Sequence, residues 1–284
     1  MVRAADRVAE NIPGEFFVDS SCIDCDLCRQ LAPASFARSD RIGQSFVAAQ
    51  PLDDDARQRA LMALVTCPTS SIGTAHKADT KAAARAFPTQ VGDGIYFCGY
   101  ASADSYGAAS WLIVRPDGNV LVDSPRSAHP LMNRIAELGG VRWMFLTHRD
   151  DVADHEAWHE RFGCERVMHR VDAVHGVETA VDGITTLAPG LVIVPVPGHT
   201  RGSAVLIDRD QHAFTGDHVW ANDAEDGLEA GREVCWWSWP EQRRSMAALA
   251  EHAFVEVFPG HGRRWRAASV DAMQRELRRL AAAM

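Results

Sequence analysis

Seven cysteines occur in the chain, and four of them fall in its first quarter. Cys22-x2-Cys25-x2-Cys28 sets three thiolates on one tight loop, and Cys67-Pro68 follows after a longer stretch. An iron–sulfur cubane needs four thiolates at its corners and backbone N–H groups on its sulfides. Three cysteines at steps of three, wound around one face, provide that arrangement. A structural zinc would more typically take two separated Cys-x2-Cys pairs. Cys98, Cys164 and Cys235 are scattered, and an odd total speaks against a disulfide framework. Asp19, Asp24 and Asp26 flank the loop. Their charge is expected to stabilise the oxidised form of a cluster there and lower its reduction potential.

A second set of reactive residues lies further along. The signatures are Leu146-Thr147-His148-Arg149-Asp150-Asp151-Val152-Ala153-Asp154-His155, Pro197-Gly198-His199-Thr200-Arg201-Gly202-Ser203, Thr215-Gly216-Asp217 and Pro259-Gly260-His261-Gly262. Each follows an apolar, strand-like run and opens a loop. Strand ends suit such groups, because the sheet fixes them while the loop leaves them accessible. Imidazole and carboxylate together suit iron, manganese or zinc. Asp123 closes a similar run, Val-Leu-Val-Asp; in the metallo-β-lactamase superfamily, which residues 87–284 resemble, an aspartate there often supports the site. His76, His129, His169, His175, His212, His218 and His252 stand alone and are not assigned, and His159 reads as a surface or supporting residue on the helix after His155. Trp236, Trp237 and Trp239 fit either a pocket wall or the core under the next helix. Ser105-Tyr106-Gly107 is a similar case and fits either a loop over the site or part of the core.

The elements that must position these residues read as two units. Residues 16–19 and 44–50 look like strands around the cysteine loop. Asp53-Asp54-Asp55 supplies an N-cap and a negative first turn for a helix to about Val65, with Leu61, Leu64 and Val65 on its buried face. Residues 77–86 are small and polar, a solvated linker between domains at 1–76 and 87–284. Beyond Phe87, strands read at 95–97, 111–114, 120–122, 143–146, 166–169, 191–196, 203–207 and 255–258. Helices fit 128–138, 154–162, 240–252 and 267–283. Pro116-Asp117-Gly118-Asn119 is a hairpin signal. Hairpins mixed with strand–helix units predict an α/β layered sandwich.

The cysteine segment, over about residues 14–74, resembles the single-cluster bacterial ferredoxins, in which a remote Cys-Pro supplies the fourth ligand. Two-cluster ferredoxins carry a further cysteine where this chain has Ala32. The resemblance implies a small α+β domain holding one [4Fe-4S] cluster on Cys22, Cys25, Cys28 and Cys67. Residues 87–284 resemble the metallo-β-lactamase superfamily, which implies an αββα sandwich with one or two metal ions (iron, zinc or manganese) at one edge. His148 and His199 would then hold one metal, and Asp154, His155 and His261 the other, with Asp217 bridging. Asp154 would also orient a metal-bound water as the catalytic group. The usual first signature is His-x-His-x-Asp-His, and here Asp150 replaces the second histidine with two extra residues before Asp154-His155. The flavodiiron members also carry a carboxylate there and bind iron. Asp150 is the expected ligand, with Asp151 as its alternative.

A formal charge of −9 argues against nucleic-acid or anionic-membrane partners. No run approaches the length of a membrane span, and residues 1–11 lack a signal-peptide core, which makes the cytoplasm the expected compartment. The leading functional expectation is redox chemistry on a small molecule, with electrons passing from a redox partner protein through the ferredoxin module. One alternative is a zinc-dependent hydrolase of a small ester, thioester or lactone with a structural or sensing cluster. Another is a non-catalytic electron carrier or redox sensor.

Overall fold

Asp53 accepts a hydrogen bond from the Ala56 N–H at 2.8 Å and caps the helix Asp54–Thr66, as the aspartate run predicts. That helix packs on a small frame of two strand pairs in the computed structural model, which describes residues 2–284. Phe16–Val18 pairs antiparallel with Ile72–Thr74, so the two ends of this unit close on each other. Phe36–Ser39 pairs with Gln44–Val47. Phe16, Val18, Phe36, Val47 and Ala60 form its apolar centre. Strands Phe36–Ser39 and Ile72–Thr74 escaped the sequence reading, because runs of three or four residues give too little alternation to register.

The larger unit is built on two sheets. The first has seven strands, ordered in space as Thr179–Val181, Glu165–His169, Trp143–Leu146, Val120–Val122, Trp111–Ile113, Ile95–Phe97 and Thr89–Gly92. The second has six, ordered as Thr185–Ala188, Leu191–Pro195, Ala204–Asp208, His212–Gly216, Glu256–Pro259 and Trp265–Arg266. Alternation along the second sheet decides the layering. Ile193, Ala204 and Leu206 point into the core shared with the first sheet, whereas Val194, Val205 and Ile207 point outward. Met246 and Leu249 of the helix Trp239–Leu249, and Met273 and Leu277 of Val270–Ala283, cover that outer face. The first sheet is covered in turn by His129–Glu137 and His155–Phe162, through Leu131, Ile135 and Trp158. The result is the expected αββα sandwich.

One expectation is corrected between the units. Residues 77–86 hold a short helix, Lys81–Arg85, and keep Lys77 and Lys81 exposed as a partly helical connector would, but Ala83 is fully buried. The Tyr100 hydroxyl donates to the Ala84 carbonyl at 3.3 Å, and Phe87 follows at full burial. Alanine's short side chain lets a helix sit close against its neighbours, so a segment without an apolar face by composition still packs. The two units meet directly as well. Leu27 belongs to the core of the sandwich, with Cys25, Leu31, Met62 and Val65 packed against it. The Arg126 guanidinium donates to the Val65 carbonyl at 3.0 Å. Among the described residues, no helix is long and apolar enough to cross a membrane.

Candidate metal centres

Cys67 lies near the three thiols of the cysteine loop. None of the seven cysteines is in a disulfide. Burial pushes the Cys25 thiol up to about 12, and Cys28, Cys67 and Cys22, all close by, push in the same direction. The Ser71 N–H donates to Cys67 Sγ at 3.3 Å, and Cys28 Sγ lies 3.3 Å from Ser45 Oγ. Four free, neighbouring thiols with a backbone donor on one sulfur fit the cubane that the spacing predicts. Two of the flanking aspartates are ion-paired. Asp24 pairs with Arg29 at 2.7 Å and Arg38 at 2.7 Å, and Asp26 with Arg29 at 2.5 Å and Arg263 at 2.9 Å. Burial pushes Asp26 up, yet Arg263 and Arg29 hold it below the usual carboxylate range. Asp24 and Asp26 are therefore not bare carboxylates, whereas Asp19 is held by the backbone N–H groups of Arg3 and Ser21 and has no arginine ion pair among the described residues.

In the sandwich, the strand ends converge as the signatures predict. His148 Nε2 lies 3.7 Å from Asp217 Oδ2 and 3.9 Å from Asp150 Oδ2, and His199 Nε2 lies 3.7 Å and 3.4 Å from the same atoms. Four ligands in tetrahedral array around an ion at about 2.1 Å stand about 3.4 Å apart, close to this spacing. A second group comprises Asp151, Asp217 and His261, whose ligand atoms lie within 4.8 Å of one another. His148 Nε2, His199 Nε2 and both carboxylate oxygens of Asp151 are buried with no hydrogen-bond partner. Orphaned buried atoms of these types, gathered at one place, fit a bound metal. Gly260 keeps the space open: a Cβ there would lie 2.8 Å from Asp151 Oδ2 and 3.0 Å from Asp217 Oδ1.

The surroundings fix which ring nitrogen faces the centre. His199 Nδ1 donates to the Val234 carbonyl at 2.7 Å, which leaves Nε2 as the free lone pair. Asp123 is fully buried and takes the Thr147 N–H at 2.8 Å and the Thr147 hydroxyl at 2.9 Å. The committed hydroxyl then accepts from His148 Nδ1 at 3.0 Å, so Asp123 supports the site through Thr147. Burial pushes His148 down to about 4, with Asp217 working against it. Burial would likewise lower His261, but Asp217, 2.8 Å from its Nδ1, carries it up to about 10. Asp217 itself is pushed up by burial and held well below the usual range by His261, His148 and His199. Asp151 is driven well above that range by burial and by Asp217. A cation at this position would reverse that by favouring the ionised form.

Asp154 and His155 are not brought to this centre. Asp154 Oδ2 accepts the Ser127 N–H at 2.7 Å, and the residue stands at the N-cap of His155–Phe162. His155 Nδ1 accepts from Arg166 at 3.1 Å, and burial and that guanidinium together lower its pKa. The helix starts too late for either residue to face the site. Counted from His148 without a gap, the Asp-His pair of the usual motif falls on Val152 and Ala153, neither of which can ligate. Asp151 occupies the space instead. A further histidine, His218, is buried with neither ring nitrogen partnered, and burial followed by His199 lowers it to about 3. Sequence reading left it unassigned because it lacked a motif beyond its place after Asp217. Trp236 is exposed over the opening, its ring centroid 6.3 Å from that of His199, and both Trp236 and Trp237 donate their N–H groups to the His199 carbonyl.

Comparison with known proteins accords with this geometry. Residues 18–74 match the family model for the 4Fe-4S single cluster domain of Ferredoxin I. A metallo-β-lactamase from Erythrobacter litoralis superposes with a TM-score of 0.50 at 20% identity, over 69% of this chain and 92% of its own. FIM-1 from Pseudomonas aeruginosa, in its mono-zinc form, gives 0.51 at 17% identity, over 69% and 94%. DIM-1 metallo-β-lactamase gives 0.52 at 16%, over 68% and 95%. Residues 18–74 are thus similar to a single-cluster ferredoxin domain, and the larger unit has the metallo-β-lactamase fold. No curated protein matches the chain by sequence. In the larger unit the residues gathered as candidate ligands are His148, Asp150, His199 and Asp217 on one side, and Asp151, Asp217 and His261 on the other.

Proposed function

We propose that this chain is an iron–sulfur metalloenzyme that carries out redox chemistry on a small molecule at a dinuclear site in the metallo-β-lactamase-fold domain. The observation that carries this reading is the direct packing of the cysteine loop on the loop that bears His261. Arg263, two residues after His261, pairs with Asp26, one residue after Cys25, and Gln30 Nε2 donates to the Gly262 carbonyl at 3.1 Å. A fused ferredoxin module on a loose tether has no evident role in simple hydrolysis. One packed against a ligand loop supports electron delivery. Cys22, Cys25, Cys28 and Cys67 would hold one [4Fe-4S] cluster, which supplies one-electron chemistry when bound. His148, Asp150 and His199 would hold one metal ion, Asp151 and His261 the other, with Asp217 between them. Asp150, partly open to solvent, lies where a substrate or water would enter.

Carboxylates at positions 150 and 151 favour iron or manganese over zinc, because they add hard oxygen ligands where an imidazole is usual. A zinc hydrolase is the second reading, and its support is the mono-zinc form of the FIM-1 neighbour. Elemental analysis of anaerobically purified protein, with visible and electron paramagnetic resonance spectra, separates the two. Iron beyond four per chain supports the redox reading, whereas four irons with two zincs per chain support hydrolysis. A colourless protein would end the cluster assignment.

A further inference from the structure

We infer that residues 102–108 form a common wall of the two centres, so that metal uptake at the Asp151–Asp217–His261 position depends on the packing of the cysteine loop. The inference rests on the two-centre reading above, and not on which reaction the protein performs.

Several contacts converge on this segment. Gly107 has φ +86°, and a Cβ there would lie 2.6 Å from Cys25 Cβ and 3.2 Å from Cys25 Sγ. Only glycine allows that approach together with that backbone angle. One residue earlier, the Tyr106 carbonyl accepts from His261 Nε2 at 3.3 Å, and Tyr106 itself has φ +49°, an unusual angle for a bulky side chain. Ser105 Oγ accepts the Ala153 N–H at 3.2 Å and so reaches the loop of Asp151. Ala109 N–H donates to the Gly260 carbonyl at 2.7 Å, on the other side of His261.

The loop of His261 is thus held from two directions. Residues 102–109 grip it on one side, and Gln30 and Asp26 of the cysteine loop grip Gly262 and Arg263 on the other. His148 and His199 are held differently, by Asp123 through Thr147 and by the Val234 carbonyl. A ligand must be placed to within about 0.5 Å to bind well, so a shifted His261 loop loses its metal while the other position keeps its own. Linkage then runs both ways: an ion held by His261 favours the packed arrangement of the cysteine loop.

The test uses the full chain with its cluster in place, stripped of other metals by a chelator and titrated with Mn2+, with bound ions counted by elemental analysis. The parent is expected to take two ions. The double variant Arg263→Gln, Gln30→Ala, which touches no ligand, should bind one ion as the parent does and the second about 10–100-fold more weakly, the effect typical of a lost outer support. Gly107→Val should lose the second ion together with much of the visible absorption of the cluster. Tyr106→Phe, which keeps the carbonyl, should change neither. In the parent, added Mn2+ should also slow bleaching of the cluster in air, and this protection should vanish in the double variant. Parental affinity for both ions in the double variant, or equal weakening of both, overturns the inference. A parent that takes up no ion beyond its cluster refutes the dinuclear reading itself, and the inference with it.

Discussion

The two candidate centres are built in opposite ways. Three of the four cysteines lie on one short loop, where Asp24 and Asp26 are paired with Arg29, Arg38 and Arg263. The second centre draws its ligands from four separate strand ends between His148 and His261. Its carboxylates, Asp150, Asp151 and Asp217, pair with histidines and not with arginine. A centre with arginines around it needs no further cation to balance its acids. A centre of buried carboxylates and imidazoles does, because burying acidic groups without a compensating charge is costly.

That contrast is broken most directly at Asp217, which faces His148, His199 and His261 together. Asp217→Asn should remove most of the metal from both positions of the sandwich while the visible spectrum of the cluster persists. Metal content that stays at the parental level would end the dinuclear reading.

The next largest effect distinguishes Asp151 from Asp154. Asp151→Asn should cost one metal ion per chain by elemental analysis. Asp154→Asn should leave the metal content unchanged and lower stability by about 1–2 kcal/mol in chemical unfolding, through the weakened bond to the Ser127 N–H. The reverse pattern would restore Asp154 as a ligand.

A smaller effect is expected at Arg29, which is almost wholly buried between Asp24 and Asp26. Arg29→Gln removes one of the two cations paired with each acid beside the cysteines, so the reduction potential of the cluster should fall in a redox titration. An unchanged potential would mean that Arg38 and Arg263 alone neutralise the two acids.

The smallest concerns the ion pair beside His155. The Arg166 guanidinium holds Glu178 down to about 2, against an ordinary 4.5. A carboxyl depressed on folding contributes its full stability above its unfolded value and loses it as the pH falls through its folded value. Parent and Glu178→Gln should therefore differ in unfolding midpoint at pH 6, and the gap should close between about pH 5 and pH 2. A gap that persisted at pH 2 would assign the stabilisation to packing instead of charge.

Legibility of the sequence followed the same division. The cysteine steps, the Asp53 cap and the hairpin at Pro116-Asp117-Gly118-Asn119 are local, and local spacing alone carries their geometry. His148, His199, Asp217 and His261 were also legible, because each closes an apolar run whose direction fixes where the next residue emerges. Strands Thr179–Val181 and Thr185–Ala188 were not read, being short and partly polar at sheet edges.

What only the tertiary structure decided concerns register and contact between distant segments. Where the helix after His148 begins determines whether Asp151 or Asp154 faces the metals, and a helix start shifted by three residues turns a side chain through most of a full turn. Arg263, which pairs with Asp26 beside its local partner Arg29, lies far along the chain and has no spacing relation to it. The burial of Ala83 in a segment that reads as a linker depends on neighbours its composition does not announce. The sequence determined which residues could bind metal and that they fall into two sets, one of cysteines and one of histidines and aspartates. The packing of one unit on the other placed Gly107 against Cys25 and the Tyr106 carbonyl on His261, because contacts between remote segments depend on three-dimensional closure, which periodicity and spacing do not encode.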